Sequence, residues 1–162
     1  MKSLPPQGLS ESTKVIHLHS GKLWGAHLAT AKLFQELQGE LCICDPYYGI
    51  GSLLRLSELA HCNPIRFLTQ RADSKERSFI GKALKDFTSQ HTHVEFRQYT
   101  ANDLHDRYLL TASEIVILGH GLKDIGGKES FVIRLNKDTC GDVIDTESRS
   151  FDSRWSAATQ LP

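Results

Sequence analysis

The sequence lacks a long apolar run, a net charge and any repeat, and the first two of these absences limit which class of protein it can be. No stretch approaches the roughly eighteen consecutive apolar residues that a membrane span requires, so the sequence does not predict a membrane protein. The 19 basic residues balance the 19 acidic residues. No global basic field therefore attracts nucleic acid, and only a local basic patch could do so.

The cysteines and the first residues indicate the expected compartment. Cys42 and Cys44 lie too close together in an apolar run to close as a disulfide, while Cys62 and Cys140 are isolated. The chain begins without the apolar core of a signal peptide, so we expect a cytoplasmic protein with free thiols. Residues 1–12 are rich in Pro, Ser, Gly and Gln, which predicts a flexible leader or a linker from the remainder of a longer chain.

Residues 13–162 are long enough for a single domain with its own core. The predicted strands of the first part cover residues 14–19, 41–44, 65–69 and 94–99. The helices predicted between them cover 24–37, 52–60 with Ser52 as cap, and 73–89. Because strands and helices alternate, this part predicts an α/β domain with a largely parallel sheet.

The last third of the chain changes pattern. Three strands at 107–111, 114–118 and 130–135 are separated by short turns, and a helix is predicted over 138–159. The whole chain therefore predicts an α/β fold with a mixed, largely parallel central sheet and helices on both faces. The apolar residues that recur at helical spacing, and are expected in the core, are Trp24, Leu28, Ala31, Phe34, Leu37, Phe79, Ile80, Leu84, Phe87, Phe151 and Trp155.

His105 and Arg107 are the strongest candidates for chemistry. They lie at the start of a predicted strand, where period-two alternation places both side chains on one face. A guanidinium neutralises and clamps phosphate oxygens, and an imidazole attacks phosphorus or transfers a proton. The pair predicts a phosphate site, although an isolated His-x-Arg pattern is most often structural.

A glycine-rich stretch after the next predicted strand adds candidate binding residues. Gly119 and Gly121 flank His120, and a backbone with so little side chain can approach a ligand closely. Lys123 adds a positive charge, and Glu129 could orient an imidazole. The alternative is that His120 is an exposed turn residue without a role.

Two stretches of sequence carry a resemblance to a known family. LHDRYLL at 104–110 and ILGHGLKDIGGK at 117–128 resemble the phospholipase D-like superfamily, most of all its small bacterial members with an arginine variant of the His-x-Lys signature. A weaker resemblance extends upstream to Asp45 and Tyr47 and downstream to 151–155. It covers nearly the whole chain after the leader.

The resemblance implies a phospholipase D-like domain over residues 13–162 and a two-step phosphodiesterase that needs no metal or other cofactor. His105 would form a phosphohistidine, and Arg107 would hold the phosphoryl oxygens. Active members use two such motifs and this chain has one, so a homodimer would place two copies of His105 in a shared cleft. The second histidine would then protonate the leaving oxygen.

The resemblance also implies the other residues of the site. Ala112 stands where the family has an acidic residue, so Asp106 or Glu129 would have to supply the missing carboxylate, and we assign Glu129 as the further catalytic residue. Tyr47 could stack on a base or a sugar, or serve packing and turn formation. The residues expected to bind substrate are Asp45, Tyr47, Gly119, His120, Gly121 and Lys123.

Two hypotheses for function follow. The first is a phosphodiesterase, of the nuclease type rather than a lipase because the resemblance is to small bacterial members and no membrane-binding stretch is present. The alternative is a catalytically degenerate module that binds phosphate ligands or dimerises within a larger, defence-related protein.

Other clusters of histidine and cysteine predict less. His17 and His19 form one pair and His91 and His93 another, and either could suggest a metal site or a two-histidine phosphoesterase. Ordinary histidines at strand ends are the favoured interpretation. The cysteines together with His61 match no standard zinc spacing, so we predict no metal.

Overall fold

The computed structural model of the protein describes residues 13–19, 21 and 23–162, so the predicted leader of residues 1–12 lies outside the described residues. The elements, in chain order, are β1 (Thr13–Leu18), α1 (Leu23–Glu36), β2 (Leu41–Cys44), β3 (Tyr47–Tyr48), α2 (Ile50–Glu58), β4 (Ile65–Thr69), β5 (Arg71–Ala72), α3 (Ile80–Gln90), β6 (Val94–Gln98), β7 (Tyr108–Leu110), β8 (Glu114–Leu118), a 3-10 turn (Leu122–Asp124), β9 (Ser130–Asn136), α4 (Lys137–Ala157) and β10 (Thr159–Gln160).

Eight strands form one mixed sheet in the order β1-β9-β8-β7-β2-β4-β6-β10, and β3 pairs with β5 separately. Parallel pairing joins β2 to β4 and β4 to β6. The other neighbours in the sheet are antiparallel. The mixed α/β sheet is confirmed, but it is not largely parallel, because the hairpin connections of the last third add antiparallel strands to a parallel centre.

Helices cover both faces of the sheet, as predicted. The first three helices pack on one face, where Phe34 of α1 joins the cluster that contains Phe67 and Phe96. The helix α4 packs on the other face through Phe151 and Trp155. Full burial of side chains of this size contributes about 1.5–3 kcal/mol each, so these clusters hold the layers together.

The buried faces of two helices differ from the prediction. Trp24 is 76% exposed and Leu28 is 54% exposed, since α1 turns Ala26 and Leu33 toward the sheet instead. Apolar residues occur around more than one side of α1, so their spacing did not determine which side is buried. Phe79 is also largely exposed, because α3 begins only after it.

The starts of α2 and α3 were also predicted wrongly. The N-cap residue of α2 is Gly49 rather than Ser52, which occupies the third position of the helix. The helix begins at Ile50, where the Ser52 Oγ accepts a hydrogen bond from the Gly49 N–H at 3.1 Å and Glu76 accepts one from the Ile50 N–H at 2.7 Å. Residues 74–79 form turns rather than the first part of α3, and Asp73 caps that turn through the Lys75 N–H at 2.9 Å.

The structure also bears on the predicted free thiols and on the expectation that no segment spans a membrane. Cys42, Cys44, Cys62 and Cys140 are free, and the first three of them are buried. This confirms the prediction of free thiols. Among the described residues, no helix combines the length and the apolar character needed to cross a membrane.

Candidate functional site

The site forms where the parallel strands end and β7 begins. Asp45 follows β2 and Arg71 follows the neighbouring β4, so both lie at the same edge of the sheet, where open α/β sheets commonly bind ligands. Because β7 runs antiparallel to β2 with Tyr108 opposite Cys44, Arg107 enters the sheet beside Asp45. The Arg107 Nε lies 3.7 Å from the Asp45 Oδ1.

A cavity of about 440 Å³ opens at this edge and carries charges of both signs. Its basic residues outnumber its acidic residues, and a histidine lies among them. The charged and titratable residues that line the cavity are Arg71, Arg77, Arg107, Lys123, His120, Asp45, Asp73 and Asp124. A local concentration of basic residues is therefore present in a chain that has no net charge.

Asp45 forms the floor of this cavity. Its side chain is fully buried, and its two oxygens accept hydrogen bonds from the Leu122 N–H at 2.6 Å and the Tyr47 N–H at 3.1 Å. Burial raises the pKa of Asp45 to about 6, against the opposing effect of these hydrogen bonds and of Arg107. Asp45 was predicted to bind substrate, but its oxygens are engaged with the backbone. Its geometry suits a positioning role beneath Arg107.

The Arg107 side chain makes no hydrogen bond to another described residue. Its side chain is 31% exposed, and its buried Nε has no hydrogen-bond partner among the described residues. A guanidinium with unused donors beside a cavity matches the geometry of phosphate oxygens. Of the predicted site residues, Arg107 is the one best placed for the predicted contact with phosphate.

His105 borders a second depression of about 440 Å³ that adjoins the first. Arg107, Tyr47 and Arg71 line both, so Arg107 stands between them. The strand β7 begins only at Tyr108, and His105 therefore lies in the irregular segment before it rather than on a strand face. His105 is exposed, and its imidazole makes no hydrogen bond to another described residue.

The two glycines of the Gly-His-Gly stretch have different reasons to be small. A Cβ at Gly119 would lie 2.4 Å from the Ser130 Oγ and 2.9 Å from the Phe131 carbonyl oxygen, so this glycine permits close packing against β9. Gly119 does not line the cavity, contrary to the prediction that it approaches a ligand. Gly121 does line it, and a Cβ there would lie 3.1 Å from the Asp45 Oδ2.

His120 lines the cavity with a defined orientation. Its Nε2 lies 3.0 Å from the carbonyl oxygen of Glu129, which can only accept a hydrogen bond. The proton must therefore be on Nε2, and the neutral ring carries its lone pair on Nδ1. This hydrogen bond fixes the orientation of the His120 ring.

Glu129 lies away from Arg107. Its carboxylate contacts the His17 Nε2 at 3.0 Å, and neither depression includes it. Lys123 lines the cavity as expected, but its ammonium contacts Asp73 and Asp124, each at 3.0 Å. Burial opposes its charge, yet these two hydrogen bonds raise the pKa of Lys123.

Ala112 lies far from the Arg107 site. It follows β7 at its other end and lines a separate cavity with Glu114 and Lys137. An acidic residue at this position would not contact the Arg107 guanidinium. The lack of a carboxylate at Ala112 therefore leaves the composition of the Arg107 cavity unaffected.

Four charged residues of the cavity were missed from the sequence, and one of them, Asp124, directly follows the predicted Lys123. Arg71, Asp73 and Arg77 follow β4 and come close to Arg107 only in the folded chain. The available signal was the position of Arg71 directly after a strand parallel to β2, since the ends of parallel strands meet at one edge. The Arg71 guanidinium also lies over the ring of Tyr47, at 5.4 Å from its centroid.

Comparison with solved structures identifies the fold. Nuc, a phospholipase D family member from Salmonella typhimurium, has a TM-score of 0.64 and 9% identity over 92% of this chain and 97% of that one. NucT from Helicobacter pylori has a TM-score of 0.61 and 6% identity over 91% and 98%. TrmBL2, an archaeal chromatin protein with a novel mode of DNA binding, has a TM-score of 0.58 and 12% identity over 99% of this chain.

The extent of these matches differs. The chain spans nearly the full length of Nuc and NucT but only 57% of TrmBL2. No family profile matches the sequence, and no curated protein matches it either. At identities this low the likeness is one of fold, and the fold is phospholipase D-like, as the motifs predicted.

Proposed function

We propose, from the premise that this chain has a phospholipase D-like fold, that it is a metal-independent phosphodiesterase of the nuclease type. One observation carries the proposal. Arg107 stands between two adjoining depressions with its donors unused, and the exposed His105 borders one of them. A phosphodiester bound to the Arg107 guanidinium would present its phosphorus close to an unoccupied imidazole.

The chemistry proceeds in two steps. The neutral His105 nitrogen attacks phosphorus, the bond to the leaving oxygen breaks, and a proton passes to that oxygen from a second imidazole. Water then attacks the phosphohistidine, gives its proton back to the second imidazole, and releases the phosphomonoester and free His105. The Arg107 guanidinium stabilises the charge on the phosphoryl oxygens throughout.

The second imidazole comes from a second copy of the chain. Each chain has one His-x-Arg motif, and His105 lies exposed at the edge of the sheet, where a partner can reach it. A homodimer that places both copies of His105 on one phosphate supplies a nucleophile and an acid without any change in sequence.

Nucleic acid suits the depressions better than other phosphodiesters. Tyr47 is 39% exposed and lines the same depressions as Arg107, and the Arg71 guanidinium lies over its ring. A base can stack on such an aromatic ring while the neighbouring arginines neutralise its phosphate. TrmBL2, which shares this fold, binds DNA. We therefore assign single-stranded nucleic acid as the first substrate class to test.

The experiment measures hydrolysis of single-stranded DNA, RNA and bis(p-nitrophenyl) phosphate with EDTA present. The wild-type dimer should cleave at least one of them, and His105→Ala should lose the activity. His61→Ala, a histidine remote from both depressions, should keep it. A folded, dimeric wild-type protein with no activity on any of these substrates would contradict the proposal that the chain is a phosphodiesterase.

A second candidate, a binding module without turnover, has its own support. The cavity offers Arg107, Arg71 and Arg77 for phosphate, while Lys123 is already paired with two carboxylates. The described residues also give His105 no carboxylate partner to orient it. A module of this kind would bind inorganic phosphate and lose that binding in Arg107→Ala, yet His105→Ala would change nothing.

A further inference from the structure

Three side chains of types that can ligate a metal lie close together beside β1, the strand at one side of the sheet, and outside both depressions. His17 lies on β1, His19 follows that strand, and Glu129 directly precedes β9. The antiparallel pairing of β1 with β9 sets Leu18 opposite Ser130. His19, which follows Leu18, therefore lies opposite Glu129, which precedes Ser130. Residues far apart in sequence are thus brought together by the hydrogen-bonded strands.

The distances suit a single cation. One donor atom from each of His17, His19 and Glu129 lies within 4.8 Å of the others. The His17 Nε2 and the Glu129 Oε1 are 3.0 Å apart, and the two imidazole centroids are 4.1 Å apart. Zinc with bonds of about 2.0–2.2 Å holds tetrahedral donors about 3.4 Å apart, so small rotations of exposed side chains would complete the site.

The surroundings hold one ligand firmly and leave the others accessible. The His17 ring stacks on Phe131 with centroids 4.6 Å apart and an interplanar angle of 24°. His19 and Glu129 are exposed, so a fourth position remains open to water. Two histidines and one glutamate form a donor set that proteins use for Zn²⁺ with an open fourth position.

A simple ion pair accounts for only part of this arrangement. The contact between His17 and Glu129 is partly exposed, and such pairs contribute little to stability. An ion pair between His17 and Glu129 does not require the His19 imidazole to lie against the His17 imidazole. The third donor, His19, distinguishes a ligand set from an ordinary strand-end pair, and it faces the other two across the same ladder.

We propose that His17, His19 and Glu129 bind one divalent transition-metal ion, with Zn²⁺ the ion that fits the donor set. The site is independent of the Arg107 cavity, and Glu129 serves the metal rather than the phosphodiester. Its only described link to the cavity is through the backbone, since the Glu129 carbonyl oxygen accepts the hydrogen bond of His120.

The test is titration of untagged protein with zinc chloride in a calorimeter, followed by cobalt chloride with visible absorbance. Wild type should bind one Zn²⁺ per chain, and Co²⁺ should give the intense absorption of a tetrahedral site. His19→Ala and Glu129→Gln should each weaken zinc binding about 100-fold or more, since even outer-shell changes cost about 10–100-fold.

His91→Ala is the matched control, because His91 and His93 form another neighbouring pair with centroids 6.0 Å apart and no carboxylate beside them among the described residues. It should leave zinc affinity unchanged. Circular dichroism checks folding, and since His19 and Glu129 are both exposed, either variant alone decides the matter.

Three results would overturn the site. They are unchanged zinc affinity in a folded His19→Ala or Glu129→Gln protein, one metal per two chains, and a cobalt–thiolate band that Cys140→Ser removes. Hydrolysis in EDTA is a separate measurement, so a failed metal site leaves the phosphodiesterase unaffected.

Discussion

Replacement of Asp45 by asparagine tests how the floor of the cavity is built. Asp45→Asn keeps the size of the side chain but removes its charge and one acceptor oxygen. The added NH₂ group must then face either the Leu122 N–H or the Tyr47 N–H, which now bond to the carboxylate. The change also leaves Arg107 without its nearest anion.

The expected magnitude follows from the pKa of Asp45. Burial raises it from 3.8 to about 6, and at 1.36 kcal/mol per unit this corresponds to about 3 kcal/mol. Between these two values the folded protein binds more protons than the unfolded chain. The contribution of Asp45 to stability therefore falls as the pH rises from about 4 to about 6 and is fully lost above that range.

The assay is urea unfolding of wild type and Asp45→Asn at several pH values between about 4 and 7. The other charged residues of the cavity are the same in both proteins, so the difference between the two unfolding free energies reports the change at Asp45. Relative to the variant, wild type should be about 2–3 kcal/mol more stable at the acid end than at neutral pH.

Two results would refute this reasoning. The first is a difference between the two proteins that stays constant across the pH range. The second is a difference that grows in favour of wild type as the pH rises, because an Asp45 carboxylate stabilised by Arg107 would behave in that way.

Three other substitutions test separate parts of the site. Arg107→Ala should weaken the binding of inorganic phosphate about 10–100-fold, the equivalent of one charge-assisted hydrogen bond, whereas Arg149→Ala on the exposed side of α4 should not. Gly119→Ala should lower the free energy of unfolding by about 1–3 kcal/mol, because its Cβ would lie 2.4 Å from the Ser130 Oγ. Ala112→Asp should leave phosphate affinity unchanged, since this residue lies at the opposite end of β7.

Calorimetry measures the two affinities, and urea unfolding measures the stability. Equal phosphate affinity in Arg107→Ala and Arg149→Ala would argue against a binding role for Arg107. Gly25→Ala is the control for Gly119, because its Cβ would meet nothing within 4 Å. Equal unfolding free energies for the two glycine variants would show that the contact with β9 does not restrict Gly119. A marked loss of phosphate affinity in Ala112→Asp would mean that the loop after β7 reaches the site.

Much of the fold could be predicted because its signals are local. The apolar runs at 41–44, 65–69 and 114–118 are strands with the predicted bounds. The share of antiparallel pairing could not be read from alternation alone, since it depends on which strands become neighbours. Trp24 was assigned to the core wrongly because a helix with apolar residues on several sides gives no unique buried face.

The site was predicted in part for the same reason. His105, Arg107 and His120 belong to a recognisable stretch of sequence, and the structure brings them to one edge. Asp73 and Arg77 line the cavity because of tertiary packing, and no local sequence pattern predicts such a position. Glu129 was assigned to catalysis by its place in the sequence, but the pairing of β1 with β9 directs its carboxylate to His17.

The most direct test of the central claim is to locate the covalent intermediate. Wild-type protein is mixed with a phosphodiester substrate in EDTA, quenched with alkali during turnover, digested and examined by mass spectrometry. The account predicts a base-stable, acid-labile adduct on the peptide that contains His105, in which the phosphorus still carries one ester group of the substrate, and no such adduct in His105→Ala. Turnover without any phosphorylated histidine, or with the label on His120 instead, would contradict it.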